Sequence, residues 1–207
     1  MRKTFIIIFL LLSASLYAQT MEMVLFDHQQ RVAENPVVRL NFYEKLIATG
    51  LREFGKGSLN EQLVNYLARH EHLILKFKNS VSFANKNSKT LCQVQERHVD
   101  DEVDALRHLL LSGFLSLTMG EEHAFILTSL QEVRGGNNQL SMQMDVWNNF
   151  KAIELVAHHK EFLQQMSRTR QLDWMKAKYL ELLESGEVKV LQSKPSSCQQ
   201  SNIYPNL

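Results

Sequence analysis

Between Val103 and Leu117 the chain is apolar almost all the way round a helix. Val103, Ala105, Leu106, Leu109, Leu110, Leu111, Phe114, Leu115 and Leu117 leave only a narrow band for other residue types. A helix of this kind is stable only when neighbours cover most of its circumference. The apolar part, Leu109 to Met119, is too short to span a bilayer, which takes about 20 residues. It therefore predicts the central helix of a soluble core, and the rest of the chain must supply a shell around it. Its polar residues, Asp101, Asp104, His108, Ser112 and Ser116, recur at helical spacing and form one stripe. That stripe faces either a sliver of solvent or an internal polar cleft.

The flanking sequence predicts helices for the shell. Thr20 to Asn35 is mixed in character and reads as a flexible or weakly helical lead. Pro36 is a good first helical residue, and Val38, Leu40, Phe42, Leu46, Ile47, Leu51 and Phe54 follow near helical spacing up to Gly55 and Gly57. Ser58 and Glu61 form a capping box for a second helix through Phe77. Asn79 to Thr90, rich in Asn, Ser and Lys, reads as a loop. Asp100 or Asp101 caps the central helix and Gly120 stops it. Glu121 and Glu122 open the next helix, which ends before Gly135-Gly136-Asn137-Asn138. A long helix from Leu140 to Gln165 and a last one capped by Ser167 and stopped by Ser185-Gly186 complete the set. Val188 to Leu191 has strand character with nothing obvious to pair with. The reading is all-α: a single irregular bundle of five or six helices over 19–191, with 192–207 an extended tail.

Residues 1–18 read as a signal peptide rather than part of the fold. Arg2 and Lys3 precede the apolar run Phe5–Leu12, and Ala18 offers a small residue for cleavage. The expectation is export across the inner membrane to the periplasm or beyond, with no transmembrane segment after cleavage. Loss of Arg2 and Lys3 takes the 23 basic residues to 21 against 22 acidic ones, a net charge of −1. Such a surface does not attract nucleic acid or anionic membrane by bulk charge. The two cysteines, Cys92 and Cys198, are either one disulfide, as export favours, or two separate thiols.

Candidate chemistry gathers between Asp100 and Ala152. Asp104 lies one turn before His108 and can orient its imidazole, as a carboxylate does for a general base or a metal ligand. Glu132 ends a helix, where the dipole disfavours a carboxylate, which points to another partner such as Arg107 or a cation. Asp145, Asn148 and Asn149 share one face of the long helix. Adjacent asparagines in mid-helix compete for the backbone and weaken it unless their amides are used elsewhere. These groups can hold a water, a cation or a hydroxyl, or can form a structural network that pins the helices. The other histidines read as surface or packing residues. His70 and His72 are two apart, so they point to different helix faces and do not easily share a metal; adjacent His158 and His159 meet the same difficulty, and His98 and His123 stand alone.

The run Asp104-Ala105-Leu106-Arg107-His108, then Gln131-Glu132, then Met144-Asp145-Val146-Trp147-Asn148-Asn149, resembles an uncharacterised bacterial domain family. Its pattern is an "[ND]AxRH" helix, an "HE" pair and an "MDxxNNxxG" helix. The family is found in exported proteins and at the ends of large secreted or toxin-like proteins. The chain departs from the pattern at Gln131, where the family has His, at Leu111, where it has an aromatic, and at Ala152, where it has Gly. The resemblance locates a site without naming a reaction.

Two functional expectations follow. One is an exported hydrolase-like enzyme in which Arg107, His108, Glu132 and Asp145 are catalytic and Asp104, Asn148 and Asn149 position substrate. A divalent cation could sit on His108, Glu132 and Asp145. The alternative is a non-catalytic helical domain with a buried polar network, Arg107 pairing with Glu132 or Asp145. A toxin-like effector domain is implied by the resemblance alone.

Overall fold

In the computed structural model of the protein, residues 20–55, 59–95, 99–133, 138–192 and 198 are described. The expected signal peptide, the Ser58 cap, His98, the Gly135–Asn137 turn and most of the tail lie outside them. The described residues are helical throughout their regular structure. Helix α1 covers 20–34. It is followed by α2 (Phe42–Gly55), α3 (Glu61–Arg69), a 3-10 turn (Glu71–Leu73) and α4 (Ile74–Leu91). Then come α5 (Glu102–Met119), α6 (Glu121–Glu132), α7 (Gln139–His158), the short α8 (Lys160–Gln164) and α9 (Arg168–Glu184).

Helix α5 is the central helix that its composition demands. It packs against α4, α6, α7 and α9. Its Leu106, Leu109, Leu110 and Leu115 are fully buried, each contributing about 1.5–3 kcal/mol of hydrophobic stabilisation. Asp101 caps it, the carboxylate accepting from the amides of Val103 at 3.1 Å and Asp104 at 3.2 Å. Gly120, at φ 90°, ends it and starts α6. None of the described helices is long and apolar enough to cross a membrane.

Several expected boundaries move. The lead is a formed helix, because Met21 and Val24 bury against Val146 and Trp147 of α7. Pro36 does not start α2. Residues 36–41 have no regular structure, and Asn41 and Glu44 exchange side-chain bonds with each other's amides, a capping box five residues later. Asn60 rather than Ser58 supplies the side-chain cap of α3, accepting from the Leu63 amide at 2.9 Å. Its amide also donates to the Leu130 carbonyl near the end of α6. The polar stretch Asn79–Thr90 is not a loop but most of α4. Phe77, Ser80, Ala84, Ser88 and Leu91 form its buried face, and the small residues among them let α4 approach α5 closely. The long helix breaks at His159, so the bundle has more and shorter helices than expected.

Val188–Leu191 is no strand. It is an irregular segment held by side chains. Asn148 Nδ2 donates to the Lys189 carbonyl and Asn148 Oδ1 accepts from the Lys189 amide, both at 2.9 Å. Trp147 Nε1 donates to the Glu187 carbonyl at 3.0 Å. Asn65 treats Val38 in the same way, bonding both its amide and its carbonyl. In each case a buried asparagine takes the place of a neighbouring strand for one peptide unit. A disulfide joins Cys92, at the end of α4, to Cys198.

Candidate functional site

The polar stripe of α5 turns inward. Asp101, Asp104, His108, Ser112 and Ser116 are all buried, and His108 and Ser112 reach side chains of α6 and α7. Three carboxylates converge on the His108 imidazole. Its Nε2 lies 3.6 Å from Asp104 Oδ1 and 3.2 Å from Asp145 Oδ1, while Nδ1 lies 3.6 Å from Glu132 Oε1. The ligand atoms that Asp104, His108 and Asp145 offer all fall within 4.8 Å of one another. The set therefore differs from the one expected for a cation. Asp104 joins His108 and Asp145 at Nε2, and Glu132 takes the opposite ring nitrogen.

Each member is positioned from a different direction. Asp100 stands at φ 60°, in the left-handed region where Asp is among the tolerated residue types. In that conformation its amide donates to Asp104 Oδ2 at 2.8 Å. Its side chain accepts from Ser141 Oγ at 3.0 Å, and its carbonyl accepts from the amides of Leu191 and Gln192. Spacing gave no sign of this role. Arg107 pairs with Asp104 rather than with Glu132 or Asp145, and its Nη2 also lies 3.0 Å from His108 Nε2.

Asn149 bridges the helices. Ser112 Oγ donates to its Oδ1 at 2.5 Å, and its Nδ2 donates to Glu132 Oε1 at 3.2 Å. That bond, with His108 and a hydrogen bond to Asp145, explains a carboxylate at the unfavourable end of α6. Asn148 does not join the cluster, since both ends of its amide are used on Lys189. Asn148→Ala is expected to lower stability by about 2 kcal/mol through the two lost bonds. It should make the 188–192 segment a new site of limited proteolysis, while leaving the charge cluster intact.

The electrostatics of the two aspartates diverge. Burial alone would raise the Asp104 carboxyl. The His108 and Arg107 charges and the Asp100 amide outweigh it and hold the group below its ordinary value. Asp145 goes the other way. Burial, then the neighbouring Glu132 and Asp104 carboxylates, push it up to about 10, so it is neutral at pH 7. Among the described residues its Oδ1 has no hydrogen-bond partner, although it lies 3.2 Å from the imidazole.

Access is narrow. The side chains of His108, Asp104 and Glu132 are 4–5% exposed and that of Asp145 11%, whereas Arg107 is 29% exposed. Beside Asn149, a cavity of about 20 Å³ is lined by His28 and Arg31 of α1 and by Ser129 of α6. It has room for roughly one water. A wider groove between α2 and α4, lined by Ile47, Phe54 and Phe77, is apolar and not part of the cluster.

The model of a family described as a domain of unknown function (DUF6973) matches residues 64–179. That is more than half of the chain. The protein belongs to this family. The family match runs from α3 into α9 and takes in Asp104, Arg107, His108, Glu132, Asp145 and Asn149, leaving α1 and α2 outside. No curated protein and no solved structure matches the chain.

Proposed function

We propose that the α5–α7 cluster is the site of an exported, hydrolase-like enzyme, and that Asp104, His108 and Asp145 hold a divalent cation in it. One observation carries the reading: two carboxylates from different helices and one imidazole point ligand atoms at a common volume. Mixed carboxylate and imidazole ligands suit ions such as Mn²⁺ or Zn²⁺, and a bound ion of this type polarises a substrate or lowers the pKa of water. Glu132, on the far nitrogen of His108, orients the ring and keeps its ligand tautomer. Arg107 neutralises Asp104 in the absence of the ion. Being the most exposed member, it can swing to solvent and meet negative charge on a substrate. Export is supported by the layout of residues 1–18 and by the disulfide, a bond that oxidising compartments preserve.

Calorimetric titration with Mn²⁺ tests the reading. The protein should bind about one equivalent, Asp145→Ala should abolish the heat, and Arg107→Ala should tighten binding by removing the competing guanidinium. Absence of heat with the unaltered protein contradicts the cation. The second reading, a purely structural network, is favoured by the burial of every member except Arg107. It predicts that Arg107→Ala costs about 3–5 kcal/mol by leaving the buried Asp104 carboxylate uncompensated, and that Asp145→Asn is destabilising through lost packing and hydrogen bonding.

A further inference from the structure

We propose that the groove between α2 and α4 holds the alkyl chain of a fatty acid, with Lys78 at its rim for the carboxylate. Ile47, Gly50, Leu51 and Phe54 line it from α2, at the i, i+3, i+4, i+7 spacing of one helix face. Ile74, Phe77, Lys78 and Val81 line it from α4 at the same spacing. Apolar faces of this kind ordinarily close on a neighbour. Here α2 packs on α3, and a cavity of about 510 Å³ lies between it and α4. Pockets that bury a small molecule run from about 300 to 1,000 Å³. Leu51 and Phe77 are buried in the lining, whereas Phe54 at its edge is 59% exposed.

Gly50 keeps the groove open. It stands inside α2, where glycine weakens a helix relative to alanine. A Cβ there would meet nothing within 4 Å, and Gly50 is not one of the glycines with positive φ. Neither a close neighbour nor the backbone accounts for it, and a larger side chain would enter the cavity that Gly50 lines. Charge then selects the ligand. Among the described residues the lining holds one charged group, Lys78, with the Ser82 hydroxyl one turn further on. The Lys78 ammonium lies over the Phe54 ring, 4.6 Å from its centroid, and pairs with no carboxylate among the described residues. One apolar trough edged by one cation fits a single alkyl chain bearing a single carboxylate. A sugar or nucleotide needs more polar partners than Lys78 and Ser82 supply. The lining runs from Ile74 to Ser82 on α4, about 12 Å of helix, which sets the length of chain that it covers. The groove shares no residue with the Asp104, His108 and Asp145 cluster.

The test is calorimetric titration of the full protein, with a chelator present, by octanoate, decanoate, dodecanoate and tetradecanoate below their micelle concentrations. Affinity should rise about fourfold per added methylene until the chain outgrows the groove, then level off. Gly50→Trp should weaken decanoate binding about 50-fold or more, the worth of about three methylenes, while melting no lower than the unaltered protein. Lys78→Glu, which turns an attraction into a repulsion, should weaken decanoate about 10-fold and decanol by less than about twofold. Asp145→Asn should change neither affinity, so the groove is tested apart from the buried cluster. No binding of any chain, unchanged affinity in Gly50→Trp, or equal losses for decanoate and decanol in Lys78→Glu would each overturn the proposal. So would a dimer in sedimentation that Gly50→Trp dissociates, since a second copy of the chain would then occupy the groove.

Discussion

Gly113→Ala should lower stability by about 3 kcal/mol or more, shifting the melting temperature down by roughly 6–12 °C. Gly113 sits in the middle of α5, where glycine is weaker than alanine by about 1 kcal/mol on propensity alone. Its presence there has a packing reason. A Cβ at this position would lie 1.6 Å from the Tyr179 hydroxyl and 2.6 Å from its Cζ. Tyr179 is fully buried, so it has nowhere to turn, and α9 would have to move away from α5. Among the described residues the hydroxyl has no hydrogen-bond partner, and burial raises its pKa. Tyr179→Phe should therefore be close to neutral, within about 1 kcal/mol. In a thermal melt, Gly113→Ala combined with Tyr179→Leu should lose less than the sum of the single changes, the sign of two residues sharing one volume. Strict additivity would contradict the contact.

Removal of the disulfide should have a comparable or larger effect. Cys92 and Cys198 are separated by 106 residues, so the bond closes α5 to α9 into one loop. Chain-entropy arguments put the stabilisation for a loop of this size at about 4–5 kcal/mol, with observed values more often about 2–4. Cys92→Ala/Cys198→Ala, or reduction of the unaltered protein, should move the urea midpoint down by a large and equal amount. A midpoint that ignores reductant would show that the tie contributes nothing.

Much of the architecture was legible where the signal is local. The apolar circumference of α5, its Asp101 cap, the Gly120 stop and the Ser167 and Gly186 boundaries depend on nearby residues, and the structure has them in place. The misreadings have tertiary causes. Asn79–Thr90 looks like a loop by composition, yet Ala84 and Ser88 are small so that α4 can lie close to α5, with Phe83 stacked on Phe114 at 4.5 Å. The lead helix α1 is stabilised by Trp147 and Val146 from the far end of the chain, which no local pattern reveals. At the site, the misplaced polarity of Asp104, His108, Glu132, Asp145 and Asn149 was readable because helix physics disfavours it, and the structure brings these residues together. Asn148 carries the same signal for a different reason, its clamp on Lys189. The role of Asp100 depends on a left-handed backbone turn that spacing rules for continuous helices pass over.

Stability of Asp145→Asn against pH, measured by melting in the presence of a chelator, tests most directly whether the cluster is held for function rather than for packing. A carboxyl whose folded pKa is raised stabilises the fold fully only below its unfolded value near 3.8. That contribution is lost as pH rises toward the folded value. The unaltered protein should therefore lose stability steadily from about pH 4 through pH 8, superimposed on the opposite and more acidic contribution of Asp104. The substitution introduces an amide that cannot ionise and can still donate to Glu132. It should flatten this slope and, at pH 8, raise stability by about 2 kcal/mol, roughly 4–8 °C. A variant that instead melts far below the unaltered protein at every pH would contradict the account and identify the cluster as structural.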